Sequence, residues 1–180
     1  GEVVKTLTVE HGKDATAPEI PAKTGYTAAW SADGKNITAD TEINAVYTIN
    51  KYTVTYKNWD GTVLQSSEVA YGDMPHYNGT TPSRSATAQY TFTFKGWDKP
   101  EVAVTGDVEY TAQFDATVNK YTITFNNWDN TTLATYELEY GAMPSYTGTT
   151  PTRPATAQYT YTFSGWTPSI VAVTGNATYT

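Results

Sequence analysis

The stretch that decides the fold is Tyr52-Thr53-Val54-Thr55-Tyr56-Lys57-Asn58-Trp59-Asp60-Gly61, which returns as Tyr121-Thr122-Ile123-Thr124-Phe125-Asn126-Asn127-Trp128-Asp129-Asn130. In the first copy Tyr52, Val54 and Tyr56 alternate with Thr53, Thr55 and Lys57, a period of two that puts the aromatic and β-branched side chains on one face of a strand. Threonine covers the wet face. Asp60-Gly61 and Asp129-Asn130 tolerate the positive φ of a two-residue hairpin turn, so each strand is expected to fold back onto a second one through Leu64 or Leu133. Strict alternation lapses between Leu64 and Val69, which predicts a bulge or a short helical excursion.

Working outward, Tyr52 to Thr111 aligns with Tyr121 to Thr180 without a gap at an offset of 69, and roughly 36 of 60 positions are identical, the mark of an internal duplication. A shorter relative occupies the first fifty residues. There His11-Gly12, Pro18, Pro21, Gly25-Tyr26 and Trp30 stand for the Tyr-Gly, proline and Gly-Trp elements, and Asp40 to Tyr47 aligns with Asp107 to Phe114. The expected organisation is a short divergent module over 1–50 and long modules over 51–118 and 119–180. The joints, Tyr47 to Tyr52 and Phe114 to Tyr121, lack Gly/Ser or Pro-rich tracts, so neighbours should sit nearly end to end. The sequence stops at Thr180 where the earlier copies continue into Ala-Gln-Phe or Ala-Val-Tyr. It therefore reads as part of a longer array with a clipped last strand, and Gly1 as an addition to it.

Within a long module, Gly72 and Pro75 break the second strand. Thr81-Pro82 resembles a helix cap followed by proline at the first helical position, which predicts one or two helical turns over Ser83 to Ala88. Tyr90, Phe92 and Phe94 form another alternating strand, and a closing strand runs around Tyr110 to Phe114.

Composition narrows the function. Eleven Lys and Arg against 18 Asp and Glu give a formal charge of −7, which opposes nucleic acid and anionic membranes. Cysteine is absent and only His11 and His76 supply imidazoles, so thiol nucleophiles, thiolate metal sites and most zinc chemistry are excluded. No apolar run approaches the roughly eighteen residues of a membrane span. About 35 threonines and 15 tyrosines favour pleated surfaces over helices.

The hairpin with Tyr-Thr-Val-Thr-Tyr, the Tyr71-Gly72…Pro75 step, the Gly96-Trp97 and Gly165-Trp166 elements and the Ala-Gln-Phe ending together resemble the Listeria–Bacteroides repeat, also called the internalin B-repeat, of bacterial cell-surface proteins. The resemblance spans nearly the whole chain. It implies a β-rich α+β fold of tandem small β-grasp-like modules, each a twisted, mostly antiparallel sheet with a short helix. It also implies a location outside the cell, secreted or on the bacterial surface, between a ligand-binding head and a wall anchor. Two departures stand out: the long modules carry Thr/Pro/Ala-rich inserts, Thr80 to Gln89 and Thr149 to Gln158, and the family offers no agreed catalytic or ligand residues to carry over.

The candidate contact residues are Trp59, Asp60, Trp128 and Asp129. Their indoles lie beside the hairpin turns, opposite the Tyr/Val/Phe face, where they can stack on sugar rings while the neighbouring carboxylates bond hydroxyls. The competing account has each indole folding over its own hairpin or sealing a junction. Trp97 and Trp166, each after a glycine that allows close backbone approach, are expected to plug the core. Asp60 with Glu68, and Asp129 with Glu137, would need to converge in a cleft to act as a glycosidase pair. The glutamates are instead expected to pair with Arg84 and Arg153. The reading is therefore a non-enzymatic spacer without cofactor or metal, or alternatively an adhesion module. Its expected partners are a host mucin, another glycan or a protein receptor, besides the neighbouring repeats of its own chain. It is expected to be monomeric, with no nucleic acid and no direct membrane insertion.

Overall fold

The computed structural model describes residues 3–180; Gly1 lies outside them. Nine strands form: β1 (Tyr26–Trp30), β2 (Ala45–Ile49), β3 (Lys51–Lys57), β4 (Val63–Ala70), β5 (Tyr90–Trp97), β6 (Val108–Val118), β7 (Lys120–Asn126), β8 (Thr132–Glu139) and β9 (Ala177–Tyr179). They make three sheets, ordered β1-β2, β4-β3-β6-β5 and β8-β7-β9. The described chain divides into two compact units, residues 3–80 with Trp97–Ala112, and Thr81–Gly96 with Gln113–Thr180, so β5 and β6 carry residues of both.

In the first unit β3 pairs antiparallel with β4, Lys51 opposite Ala70, until the register shifts at Tyr56/Lys57. Tyr56 faces Gln65 and Lys57 faces Val63, so Leu64 is the extra residue of a bulge, which accounts for the lapse of alternation there. On its other side β3 runs parallel to β6, Val54 opposite Val108. The Thr53 amide opens this pair by donating to Asp107 Oδ1 (2.8 Å). The buried set is Val54, Tyr56, Val104 and Tyr110, flanked by Tyr77 and Trp97. The Tyr56 ring stacks on Tyr110 at 5.0 Å and meets Trp97 at 4.8 Å and Tyr77 at 5.2 Å. A chain poor in Leu thus fills its core with rings, whose pairings add about 0.5–1.5 kcal/mol each beyond burial.

The second unit repeats the plan. β7 pairs antiparallel with β8, with Leu133 as the bulged residue, and parallel with β9. Asn176 Oδ1 takes the Thr122 amide at 2.9 Å, as Asp107 does for Thr53. Phe125 stands where Tyr56 does and packs on Tyr179 (5.3 Å), Trp166 (4.8 Å) and Tyr146 (5.5 Å).

The expected α+β class, with a short helix in each module, is overturned: the described residues contain strands, turns and no helix. Over 83–88 the side chains are Ser, Arg, Ser, Ala, Thr and Ala, with no apolar stripe to bury, and six residues cannot meet the cost of helix nucleation without one. A turn forms instead. Thr87 N–H donates to Tyr90 O (2.8 Å), Tyr90 N–H donates to Thr87 Oγ1 (2.9 Å), and the Arg84 guanidinium lies 3.8 Å from the Phe92 ring centre. The apolar side of the sheet is covered by Tyr77, Trp97 and Val104.

Single asparagines join the strands at the repeat joints, and both are held on every side. Asn50 N–H donates to Gly25 O (2.8 Å), its carbonyl accepts from Tyr71 N–H (2.8 Å), and its Oδ1 accepts from Thr27 Oγ1 (2.7 Å). Asn119 repeats these bonds with Gln89 O (2.9 Å), Tyr140 N–H (2.9 Å) and Thr91 Oγ1 (2.7 Å). It adds two from Nδ2, to Thr87 O (2.8 Å) and Ala88 O (3.1 Å).

Candidate functional site

The four residues singled out from sequence sit in the β3–β4 and β7–β8 loops. Asn58 N–H donates to Thr62 O (2.8 Å) and Gly61 N–H to Asn58 O (2.9 Å), with Gly61 at φ 85°. Asn127, Thr131 and Asn130 (φ 65°) repeat the pattern. Each loop therefore holds three central residues with one left-handed position at the end, the bulge-type hairpin, and not the two-residue turn read from Asp-Gly. Trp59 and Trp128 occupy the first central position and are 47% and 48% exposed.

Asp60 and Asp129 are turn residues. Asp60 Oδ1 accepts the Thr62 amide (3.0 Å), and this bond holds its carboxyl below the ordinary carboxylate value. Asp129 Oδ1 accepts from Thr131 Oγ1 (2.6 Å) and the Thr131 amide (3.1 Å), the hydroxyl first in lowering its pKa. Neither converges on its glutamate. Glu68 faces Thr53, four residues along β3 from Lys57, about 13 Å at the strand rise and beyond the spacing of an acid–base pair.

A groove of about 560 Å³ opens beside Trp128, lined among others by Asn126, Trp128, Arg153, Tyr161, Phe163 and Trp166; Asp129 is not part of its lining. The Arg153 guanidinium lies 4.5 Å from the Trp128 ring centre and 3.9 Å from that of Tyr161. The expected Glu137–Arg153 pair is replaced by these contacts, and Glu137 Oε1 accepts from Thr122 Oγ1 (2.6 Å). Arginine spreads its charge over a plane and stacks on aromatic faces at little desolvation cost. Asn126 Oδ1 is buried at this groove without a hydrogen-bond partner. Sequence reading missed Arg153 as a groove residue, although its spacing from Tyr161 matches that of Arg84 from Phe92.

Trp97 and Trp166 are core residues, as the ring contacts above place them. Their preceding glycines are required for a different reason from the one expected. Gly96 and Gly165 have φ of 135° and 137°, and a Cβ at either would meet nothing within 4 Å, so conformation selects glycine there and not close approach. No group of three His, Cys, Asp or Glu side chains that could hold a metal forms among the described residues, and among them no helix is long and apolar enough to cross a membrane.

No family model matches the chain, and no curated protein matches it. The motif-level resemblance to the Listeria–Bacteroides repeat is thus without a family match. Among solved structures, the chain is similar to Streptococcal High Identity Repeats in Tandem (SHIRT) domains 3-4 from a cell surface protein, over 71% of this chain and 94% of that one. Sequence identity is 16% and the TM-score 0.37, a likeness that carries no argument about fold or function.

Proposed function

We propose that the chain is a non-enzymatic repeat segment, modules 1–50, 51–118 and 119–180, that spaces a distal domain from the envelope of a bacterium as part of a secreted or surface-anchored protein. One observation carries the spacing role: each joint is a single asparagine whose backbone N–H, carbonyl and side-chain oxygen are all hydrogen bonded, to Gly25, Tyr71 and Thr27 at Asn50 and to Gln89, Tyr140 and Thr91 at Asn119. A joint with no free backbone group resists bending, which a spacer needs and a tethering linker does not. The placement outside a bacterial cell rests on the resemblance of the motifs. Small-angle scattering tests the reading: an elongated particle is expected, and a compact one overturns it.

A second reading, contact with a glycan, is favoured by the half-exposed Trp128 beside a groove with an unpartnered Asn126 oxygen. Here Trp128 and Tyr161 would pack a pyranose ring and Asn126 would orient a hydroxyl. Arg153 already covers part of both rings, so a sugar must displace or stack beyond it. Titration of mucin oligosaccharides against tryptophan fluorescence, with Trp128→Ala as control, decides it; unchanged emission rejects it.

A further inference from the structure

Residues Tyr159 to Trp166 are the counterpart of β5, 69 positions later. β5 lies beside β6 in its sheet, and the second unit shows what the rest of that neighbour does. Phe114 packs edge-on against Phe94 (5.8 Å), Asp115 pairs with Lys95 (3.1 Å), and Asn119 bonds to the carbonyls of Thr87, Ala88 and Gln89. The Tyr121 hydroxyl closes the set on Ala88 O (2.6 Å).

The later copy has the receiving half of this arrangement. Its turn is already formed: Thr156 N–H donates to Tyr159 O (2.9 Å) and Tyr159 N–H to Thr156 Oγ1 (3.1 Å), the same pair of bonds as at Thr87 and Tyr90. The first rung is also in place, with Thr167 and Thr180 exchanging both amide bonds at 2.8 Å, where Asp98 and Thr111 bond in the earlier copy. Beyond that rung residues 157–166 belong to no ladder. Tyr159, Tyr161 and Phe163 are 57%, 36% and 40% exposed, whereas Tyr90, Phe92 and Phe94 are half-buried.

We propose that the edge Thr156–Phe163 is a strand-accepting site whose ligand is one extended segment with the chemistry of residues 112–121, Ala-Gln-Phe-Asp-Ala-Thr-Val-Asn-Lys-Tyr. A preformed turn, a set register and an unpaired edge are what addition of a strand requires. The phenylalanine of the incoming strand packs on Phe163, its asparagine bonds to the carbonyls of Thr156, Ala157 and Gln158, and its tyrosine hydroxyl reaches Ala157 O. The aspartate contributes nothing, because Ser164 stands where Lys95 does. This holds whether or not the chain acts as a spacer.

The test fuses those ten residues after Thr180 and follows amide exchange of 157–166, with the free decapeptide titrated in parallel. Protection of these amides is expected to rise by about tenfold or more, since several edge hydrogen bonds form together. Replacing the phenylalanine by serine or the asparagine by alanine in the added segment should remove most of that gain, and replacing the aspartate by asparagine should not. Unchanged exchange in the fused chain, equal protection by a scrambled sequence, or pairing of this edge with the same edge of a second copy would overturn the proposal.

Discussion

Tyr56 is fully buried, and its hydroxyl donates to Glu101. In the later copy the same two positions are Phe125 and Ile170, both packed in an apolar cluster. The two solutions should therefore interchange as a pair and not singly. Glu101→Ile alone leaves a buried phenol donor without an acceptor, at a cost of about 1–3 kcal/mol. Tyr56→Phe alone removes a charge-assisted bond from a half-buried carboxylate that water still reaches, at about 1 kcal/mol. The double variant should return to within about 0.5 kcal/mol of the parent, a coupling of at least about 1 kcal/mol. Because a chain of repeats need not unfold in two states, the assay is native-state hydrogen exchange of the β3 and β6 amides, which reads local opening free energies. The two single effects adding up in the double variant would refute the reasoning. Burial first and then Glu101 push the Tyr56 hydroxyl above its ordinary value of 10.0. The native form thus holds its proton where the unfolded chain loses it, so this contribution is complete below pH 10.0 and is lost as the pH rises beyond it. The Phe125 copy should show no such alkaline loss.

Three further outcomes are expected. Asn119→Ala removes three side-chain hydrogen bonds and Asn50→Ala one, so exchange around the second joint should accelerate more, by about 2 kcal/mol against about 1. Gly25 has φ 80°, and a Cβ there would fall 2.2 Å from the Tyr71 ring; Gly25→Ala should displace that ring and destabilise the first unit by about 1–3 kcal/mol in the same measurement. Hydrogen bonds from Thr62 and Thr131 lower the Asp60 and Asp129 pKa values. Their contribution is present above the ordinary carboxylate value of 3.8 and disappears as pH falls through the lowered ones, so the Thr62 and Thr131 amides should lose protection only in acid.

The alternation of Tyr52, Val54 and Tyr56 fixes β3 and its buried face, and the Asp-Gly and Asp-Asn pairs locate the hairpins, because both are period and turn signals carried by adjacent residues. The parallel pairing of β3 with β6, more than fifty residues on, leaves no such local trace. The helix at Ser83–Ala88 failed because a cap and a proline say where a helix can start, while an apolar stripe decides whether it pays, and none is present. At the candidate site the exposure of Trp59 and Trp128 follows from their place in the turn. The Arg153 stack was less legible, because an arginine near a glutamate invites an ion pair and only the fold shows that two rings are nearer. The Tyr56/Glu101 exchange for Phe125/Ile170 is written in the duplicated sequence, yet it becomes a contact only once the parallel pair and the 98–107 loop are in place.

The central claim, that a joint is a fixed element, is tested most directly by pulsed dipolar spectroscopy on the second unit. The chain has no cysteine, so Thr93→Cys and Glu137→Cys, both exposed and on either side of Asn119 in the sequence, can be spin-labelled without further change. A single narrow distance distribution that broadens in Asn119→Ala is expected. A distribution already broad or multiple in the parent chain would contradict it.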